Sequence, residues 1–300
     1  MGVTDAIKRA FVGYDGKLRF IWRAVLFYVI GEYVVFPALE WVFEFAAHGF
    51  GLKPDLNAAT IGFGESRNFF TALICTGLFA IYERRRVDSY GLQLDAALKS
   101  PTFEGVAIGI VVPGFVALGM IALGGMHIHG VALSGTALLV SALAWLLACI
   151  CVGLAEEFWF RAYFQQTLWK SIGFWPSAIV IALIFAAEHY FYKQGENIWD
   201  VISIVSISLL LSYSILRTGT LWFAVGYHAA FDYMQLFVIG TPNGSAVPVG
   251  RLLNVEFTGP AWLTGGVLGT EASFLVYPAM VLAWFFVWWR YRDNPDFVPT

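Results

Sequence analysis

Residues 133–161 read LSGTALLVSALAWLLACICVGLAEEFWFR, and the contrast between the two ends of this stretch decides the fold. From Leu133 to Ala155 no side chain carries a charge; Glu156, Glu157 and Arg161 then arrive within six residues. A helix rising 1.5 Å per residue needs about 20 apolar residues to cross roughly 30 Å of hydrocarbon. The stretch is long enough, and in lipid a helix pairs every backbone N–H and C=O internally. It reads as a transmembrane helix with charge near one end.

Working outward, comparable apolar runs lie near residues 21–46, 68–82, 104–123, 175–190, 199–216, 220–239 and 272–289. They predict an all-α, polytopic transmembrane bundle of about eight helices, with residues 1–300 forming a single integral membrane domain. The runs at 68–82 and 175–190 are short for a span, which burial or local thinning of the bilayer accommodates. Composition agrees: 59% of residues are hydrophobic, 13% are charged and the mean hydropathy is +0.69. A soluble domain carries about 25% charged residues.

Basic residues set the orientation. With the N-terminus inside, thirteen Lys and Arg fall in inner segments, among them Lys8, Arg9, Arg84–Arg86, Arg217 and Arg290. Four fall outside, namely Lys53, Arg67, Lys193 and Arg251, with Arg161 set aside at a helix end. This bias predicts an even number of crossings and cytoplasmic N- and C-termini, in a cell membrane. The first nineteen residues hold Lys8, Arg9, Lys17 and Arg19 without a short apolar core and small-residue cleavage site, so a removable signal peptide is not expected. A net charge of −3 and the lack of a long basic run argue against a nucleic-acid partner. Cys75, Cys149 and Cys151 sit in apolar stretches and read as packing residues, with neither zinc spacing nor a disulfide framework.

Charge inside a span is costly and points to the protein interior or to water. Besides Glu156, Glu157 and Arg161, the fifth run ends in Glu188-His189 and the seventh carries His228 and Asp232. Glu157 and Arg161 stand at i,i+4 and pair on one helix face, which leaves Glu156 freer to reach a cavity. His228 and Asp232 also lie one turn apart. Each feature has a bland reading: a satisfied core histidine, a structural ion pair, acids at an interface. Glu32, Glu40 and Glu44 in the first run show that acids here need not be catalytic, and they read as lining a groove or sitting near the interfaces. His127 and His129 read as a solvated loop, or as chelators if on a strand. The functional reading rests on coincidence, since three apolar helices each bring acid or imidazole inward. A carboxylate and a histidine suit deprotonation of water, and a second histidine with a polar partner suits an oxyanion. Glu156, His189, His228 and Asp232 are equally competent ligands for a divalent metal such as zinc.

In order, Glu156-Glu157…Arg161, Phe185…His189 and His228…Asp232 resemble the three motifs of the CPBP family, also called the CAAX protease and bacteriocin-processing or Abi family. Those motifs are EExxxR, FxxxH and HxxxN or HxxxD. The resemblance implies an intramembrane endopeptidase with residues 133–239 as its catalytic core. Glu156 and His189 would activate water, His228 and Asp232 would form the oxyanion site, and Glu157 and Arg161 would support them. The family has been described both as metalloproteases and as metal-free glutamate-type proteases, so either no cofactor or a divalent metal is implied. Asp232 stands where the prenyl proteases usually have Asn, and an ionised Asp accepts but does not donate. That favours metal binding or orientation of His228 for this residue. The implied partner is a peptide or lipidated protein within the bilayer, in CAAX-type processing or in maturation of, or immunity to, a peptide or bacteriocin. Rival readings are a non-catalytic immunity or scaffold protein on the same fold, or a transporter, although inverted repeats are not evident. Counting helical rise, Glu156 and His228 lie about 12 Å and His189 about 21 Å from the inner ends of their runs. The expectation is a site opening toward the cytoplasm.

Overall fold

In the computed structural model, residues 10–13, 16–53 and 55–299 are described, so Lys8 and Arg9 lie outside the described residues. The first helix, α1, runs Phe20–Phe50 with a π-helical turn at Gly31–Val35. The others are α2 (Ala58–Glu83), α3 (Ser100–Ala122), α4 (Gly135–Ile172), α5 (Phe174–Tyr192), α6 (Ile198–Thr218), α7 (Trp222–Asp232) and α8 (Val276–Tyr291). A π-helical turn at Phe160–Phe164 interrupts α4, and another at Tyr233–Ile239 continues α7.

Among the described residues, six helical segments are long and apolar enough to cross a membrane: α1, α3, α4, α5, α6 and the segment Gly266–Tyr291 that contains α8. The helix α2 falls short because Glu65, Arg67 and Asn68 interrupt its apolar face, and α7 because His228, Asp232 and Gln235 lower the hydropathy of its short run through the π turn to Ile239. The same polar residues hid the start of α2, which begins at Ala58 rather than near residue 68. Asn57 fixes that start by accepting a 3.0 Å hydrogen bond from the Thr60 N–H. Asn197 caps α6 in the same way, accepting from Trp199 and Asp200.

Glycines decide how closely the helices pack. A Cβ at Gly105 or Gly109 of α3 would lie 2.1 Å from the Phe223 carbonyl oxygen or 2.3 Å from that of Tyr227. From the other side of α7, a Cβ at Gly153 of α4 would lie 2.8 Å from the Val225 carbonyl oxygen. The helix α7 is therefore held in backbone contact between α3 and α4, the close approach that small residues permit in membranes. The start of α7 is recessed behind the α2–α3 connection: Leu221 N–H donates to the Gly91 carbonyl and Trp222 Nε1 to that of Gln93.

At the end of the bundle that holds the start of α1, Glu83 accepts from Arg23 at 3.1 Å, Tyr163 at 2.9 Å and Tyr90 at 3.0 Å. This joins α1, α2, α4 and the segment after α2. At the opposite end, two short strands modify the all-α expectation. β1 (Met126–Val131) pairs antiparallel with β2 (Leu253–Phe257), with His127 opposite Glu256. His127 and His129 are thus on a strand rather than in a loop. His129 Nε2 meets Glu256 Oε2 at 2.8 Å and His127 Nε2 meets Thr258 Oγ1 at 3.1 Å, so the two rings take separate partners. The three cysteines are free thiols, with Cys75 and Cys149 buried.

Candidate active site

The first motif lies on α4 just before its π turn. Arg161 Nη1 donates to Glu157 Oε1 at 2.9 Å, both side chains being fully buried, as their i,i+4 spacing predicts. Arg161 Nη2 also donates to Ser208 Oγ on α6 at 2.7 Å, so the pair ties two helices. The same Glu157 oxygen lies 2.9 Å from His228 Nδ1 on α7. A carboxylate paired with arginine is an acceptor, so His228 donates from Nδ1 and turns Nε2 the other way. His228 Nε2 stands 3.6 Å from Glu156 Oε2 and 3.8 Å from Asp232 Oδ2. Glu156 Oε2 is buried and makes no hydrogen bond, as the freer of the adjacent acids should be.

His189 lies near the far end of α5, with Nδ1 2.9 Å from the Phe185 carbonyl oxygen one turn back. A carbonyl only accepts, so Nδ1 carries the proton and Nε2 of the neutral ring offers a lone pair. The FxxxH spacing thereby has a backbone meaning. The Phe185 ring adds a stacking wall, 4.4 Å from the His189 ring and 6.4 Å from that of His228.

Glu156, His189, His228 and Asp232 all line one cavity of about 150 Å³. A second cavity, of about 620 Å³, shares Glu156 and His189 with the first and runs between α1, α2, α4 and α5. Glu32 and Glu40 line this larger groove, with Tyr28, Arg67 and Glu188, and it reaches the bundle exterior at Tyr33 and Tyr192, which are 74% and 88% exposed. Glu44 lines neither cavity.

Three charged residues of the smaller cavity were not read as part of the site from sequence: Glu65 on α2, Lys193 after α5 and Glu271 before α8. Glu65 accepts from Asn68 at 3.1 Å. Its signal was the polar run Glu65-Ser66-Arg67-Asn68 flanked by apolar residues, which reads as an interhelical loop until the helix is seen to continue through it.

The smaller cavity lies toward the end that the bias of basic residues assigns to the outside, not the end at which the site was expected to open. Lys193, Thr241, Pro242, Asn243 and Glu271 line the cavity and belong to the connections at the end opposite Arg84–Arg86, Arg217 and the described C-terminal residues. The cause is the length of α4, which passes through its π turn to Ile172. Glu156 then lies 16 residues, about 24 Å, from that end. His189 lies 15 residues, about 22 Å, from Phe174, so the two depths agree. The mismatch lay in the end expected for α4, which is Ile172 rather than Arg161, and not in the start of α5, which is Phe174.

Among the described residues, the carboxylates spaced for a metal are Glu196, Asp200 and Glu271, whose ligand atoms all lie within 4.8 Å of one another. The four motif residues do not form such a group. In the connection between α5 and α6, burial and the neighbouring Asp200 push the Glu196 carboxyl up to about 8.

The fold and site define a polytopic helical membrane protein whose buried acids and imidazoles face a shared cavity. Residues 138–234 match the family model described as type II CAAX prenyl endopeptidase Rce1-like. The match contains all three motifs and bears out the resemblance read from them. A comparison with curated proteins finds no match.

Proposed function

We propose that the protein is an intramembrane endopeptidase, hydrolysing a peptide bond of a membrane-associated or lipidated protein or peptide. The observation that carries this reading is the convergence of Glu156, His189, His228 and Asp232 on one cavity that adjoins a groove reaching the bundle exterior. In this mechanism a water held between Glu156 and His189 hydrogen-bonds the imidazole, loses a proton to the carboxylate and attacks the scissile carbonyl; as the tetrahedral intermediate collapses, that proton passes to the amine nitrogen and the C–N bond breaks. His189 is oriented for this by Phe185, which leaves Nε2 free to accept. His228, held on Glu157 through Nδ1, aims Nε2 at the reacting centre. Carrying its second proton there, it donates to the developing oxyanion. Asp232 orients that ring from the next turn.

By donor type the same two imidazoles and two carboxylates suit zinc, and the buried, unbonded Oε2 of Glu156 offers a ligand atom, although as placed the four do not form a ligand cluster. A zinc bound there would supply a more acidic water and polarise the carbonyl. Metal content of active protein, together with the response to a chelator, distinguishes the metal-dependent from the metal-free form.

On this reading α2 and α7 complete eight crossings, with both termini cytoplasmic and the smaller cavity facing the other side. The wide groove suits a substrate arriving from the bilayer, as in CAAX-type processing or in peptide and bacteriocin maturation or immunity. The test is peptidase activity of the purified protein in liposomes against a peptide library. Glu156→Gln and His189→Ala are each expected to abolish turnover with thermal unfolding unchanged; full turnover by both variants refutes the mechanism.

A further inference from the structure

We infer that Glu196, Asp200 and Glu271 form a binding site for a hard divalent cation of the calcium class, on the loop side of the bundle. Cation binding there does not depend on peptidase activity. The three carboxylates come from separate places: the α5–α6 connection, the first turn of α6 and the segment before α8. Their ligand atoms nevertheless lie within 4.8 Å of one another. Fixing three like charges at such distances is unfavourable without a compensating cation.

The state of the individual oxygens points the same way. Asp200 is fully buried, yet its Oδ2 makes no hydrogen bond, and Oδ1 has a long 3.4 Å contact from Ser203 Oγ. The Glu196 side chain is 1% exposed, and neither of its oxygens makes a hydrogen bond. Buried carboxylate oxygens are expensive to leave unpartnered, and a cation satisfies several at once. Lys193 is the positive charge in place: its ammonium pairs with Glu271 and stands 3.5 Å from Glu196. A cation bound here takes the place of the proton that burial favours on Glu196, and the three carboxylates, once ionised around it, exceed the single ammonium by two negative charges, the complement of a divalent ion. The ligands are all oxygen, without histidine or cysteine, which selects calcium, magnesium or manganese over zinc. Exposed acids of a flexible surface would make no such case; here Asp200 is fixed by the Asn197 cap and by burial. Lys193 and Glu271 also face the smaller cavity, so an ion here forms part of its wall.

The experiment uses the full chain in nanodiscs after chelator treatment. Calcium, manganese or magnesium is titrated while the unfolding temperature is followed, and terbium luminescence, sensitised by tryptophans such as Trp199, reports direct binding. A cation that binds the native state raises the unfolding temperature by mass action. Asp200→Asn and Glu196→Gln are each expected to weaken binding by at least about tenfold. Lys193→Ala, which removes the competing ammonium, is expected to tighten it. If Asp200→Asn does not fold, Glu271→Gln makes the same test from the half-buried edge of the cluster. Absence of any saturable shift or luminescence in the wild-type protein at millimolar cation overturns the proposal and leaves Lys193 as the cluster's counter-charge. Equal binding by wild type and the carboxamide variants also overturns it. Neither outcome bears on peptidase activity, so this inference and the proposed function fail separately.

Discussion

Glu157 holds two partners with one oxygen, Arg161 along its own helix and His228 across to the next. Breaking a buried pair from one side leaves an uncompensated charge and costs about 3–5 kcal/mol. Glu157→Ala is therefore expected to lower the unfolding temperature substantially and to lose turnover, because His228 loses the partner that sets its tautomer. Glu156 differs, since its Oε2 makes no hydrogen bond. Glu156→Gln is expected to reduce turnover by about 10²–10⁴-fold, the usual contribution of a general base, with little change in unfolding temperature. Measuring both quantities for both variants separates the holding residue from the acting one. Asp232→Asn preserves size and is expected to keep turnover within about tenfold, whereas Asp232→Ala, which loses the polar group near His228, falls by 10²-fold or more. Equal losses in the two variants would refute an orienting role for Asp232. The motif residues were legible in the sequence because charge stands out in apolar helices. The Glu157–His228 contact was not, because 71 residues separate them and no local periodicity encodes which helices touch.

Among elements, α7 depends on what its neighbours lack. A Cβ at Gly153 would collide with the Val225 carbonyl, and neither backbone can yield without moving His228. Gly153→Val is expected to destabilise by about 1–3 kcal/mol or more and to lose turnover together with stability. Gly77, in the middle of α2, has open space where its Cβ would be. Gly77→Ala is expected to stabilise by about 0.4–1 kcal/mol through reduced unfolded-state freedom, leaving turnover intact. Thermal unfolding and peptidase assays on the pair check both expectations. The sequence reading located each of the long helices, because a span is an uninterrupted apolar run. It misjudged those whose runs are interrupted: Glu65, Arg67 and Asn68 masked nearly three turns of α2, and a π turn within α4 disguised a helix continuing to Ile172. Polar residues turned toward a cavity look, in sequence, like the end of a membrane helix. The β1–β2 pair was also missed, its partners being more than 120 residues apart.

For the whole molecule, the proposed orientation places the termini on the cytoplasmic side and the smaller cavity on the other. A membrane-impermeant maleimide applied to intact cells is expected to label Ala246→Cys, exposed on the loop side, and to spare Asp293→Cys, exposed near the C-terminus. The native thiols Cys75, Cys149 and Cys151 would be replaced by serine beforehand. The reverse labelling pattern would overturn the orientation while leaving the site's geometry intact. The bias of basic residues was legible from sequence alone, but the end of the bundle at which the site opens was not, since that depends on where each helix stops rather than on its charge.

Glu156 and His189 stand where two cavities of unequal size meet, and on the proposed function this makes the enzyme a two-door chamber. The smaller door has room for about five waters at roughly 30 Å³ each, enough for reactant but tight for a folded polypeptide. The wider one admits the chain sideways past Tyr33 and Tyr192. Cleavage then sorts its own products: the fragment still anchored in lipid retreats along the route by which it came, while a short polar remnant escapes through the water door. Turnover of long and short substrates would diverge at release rather than at bond breaking, with the bulk of the departing piece setting the pace.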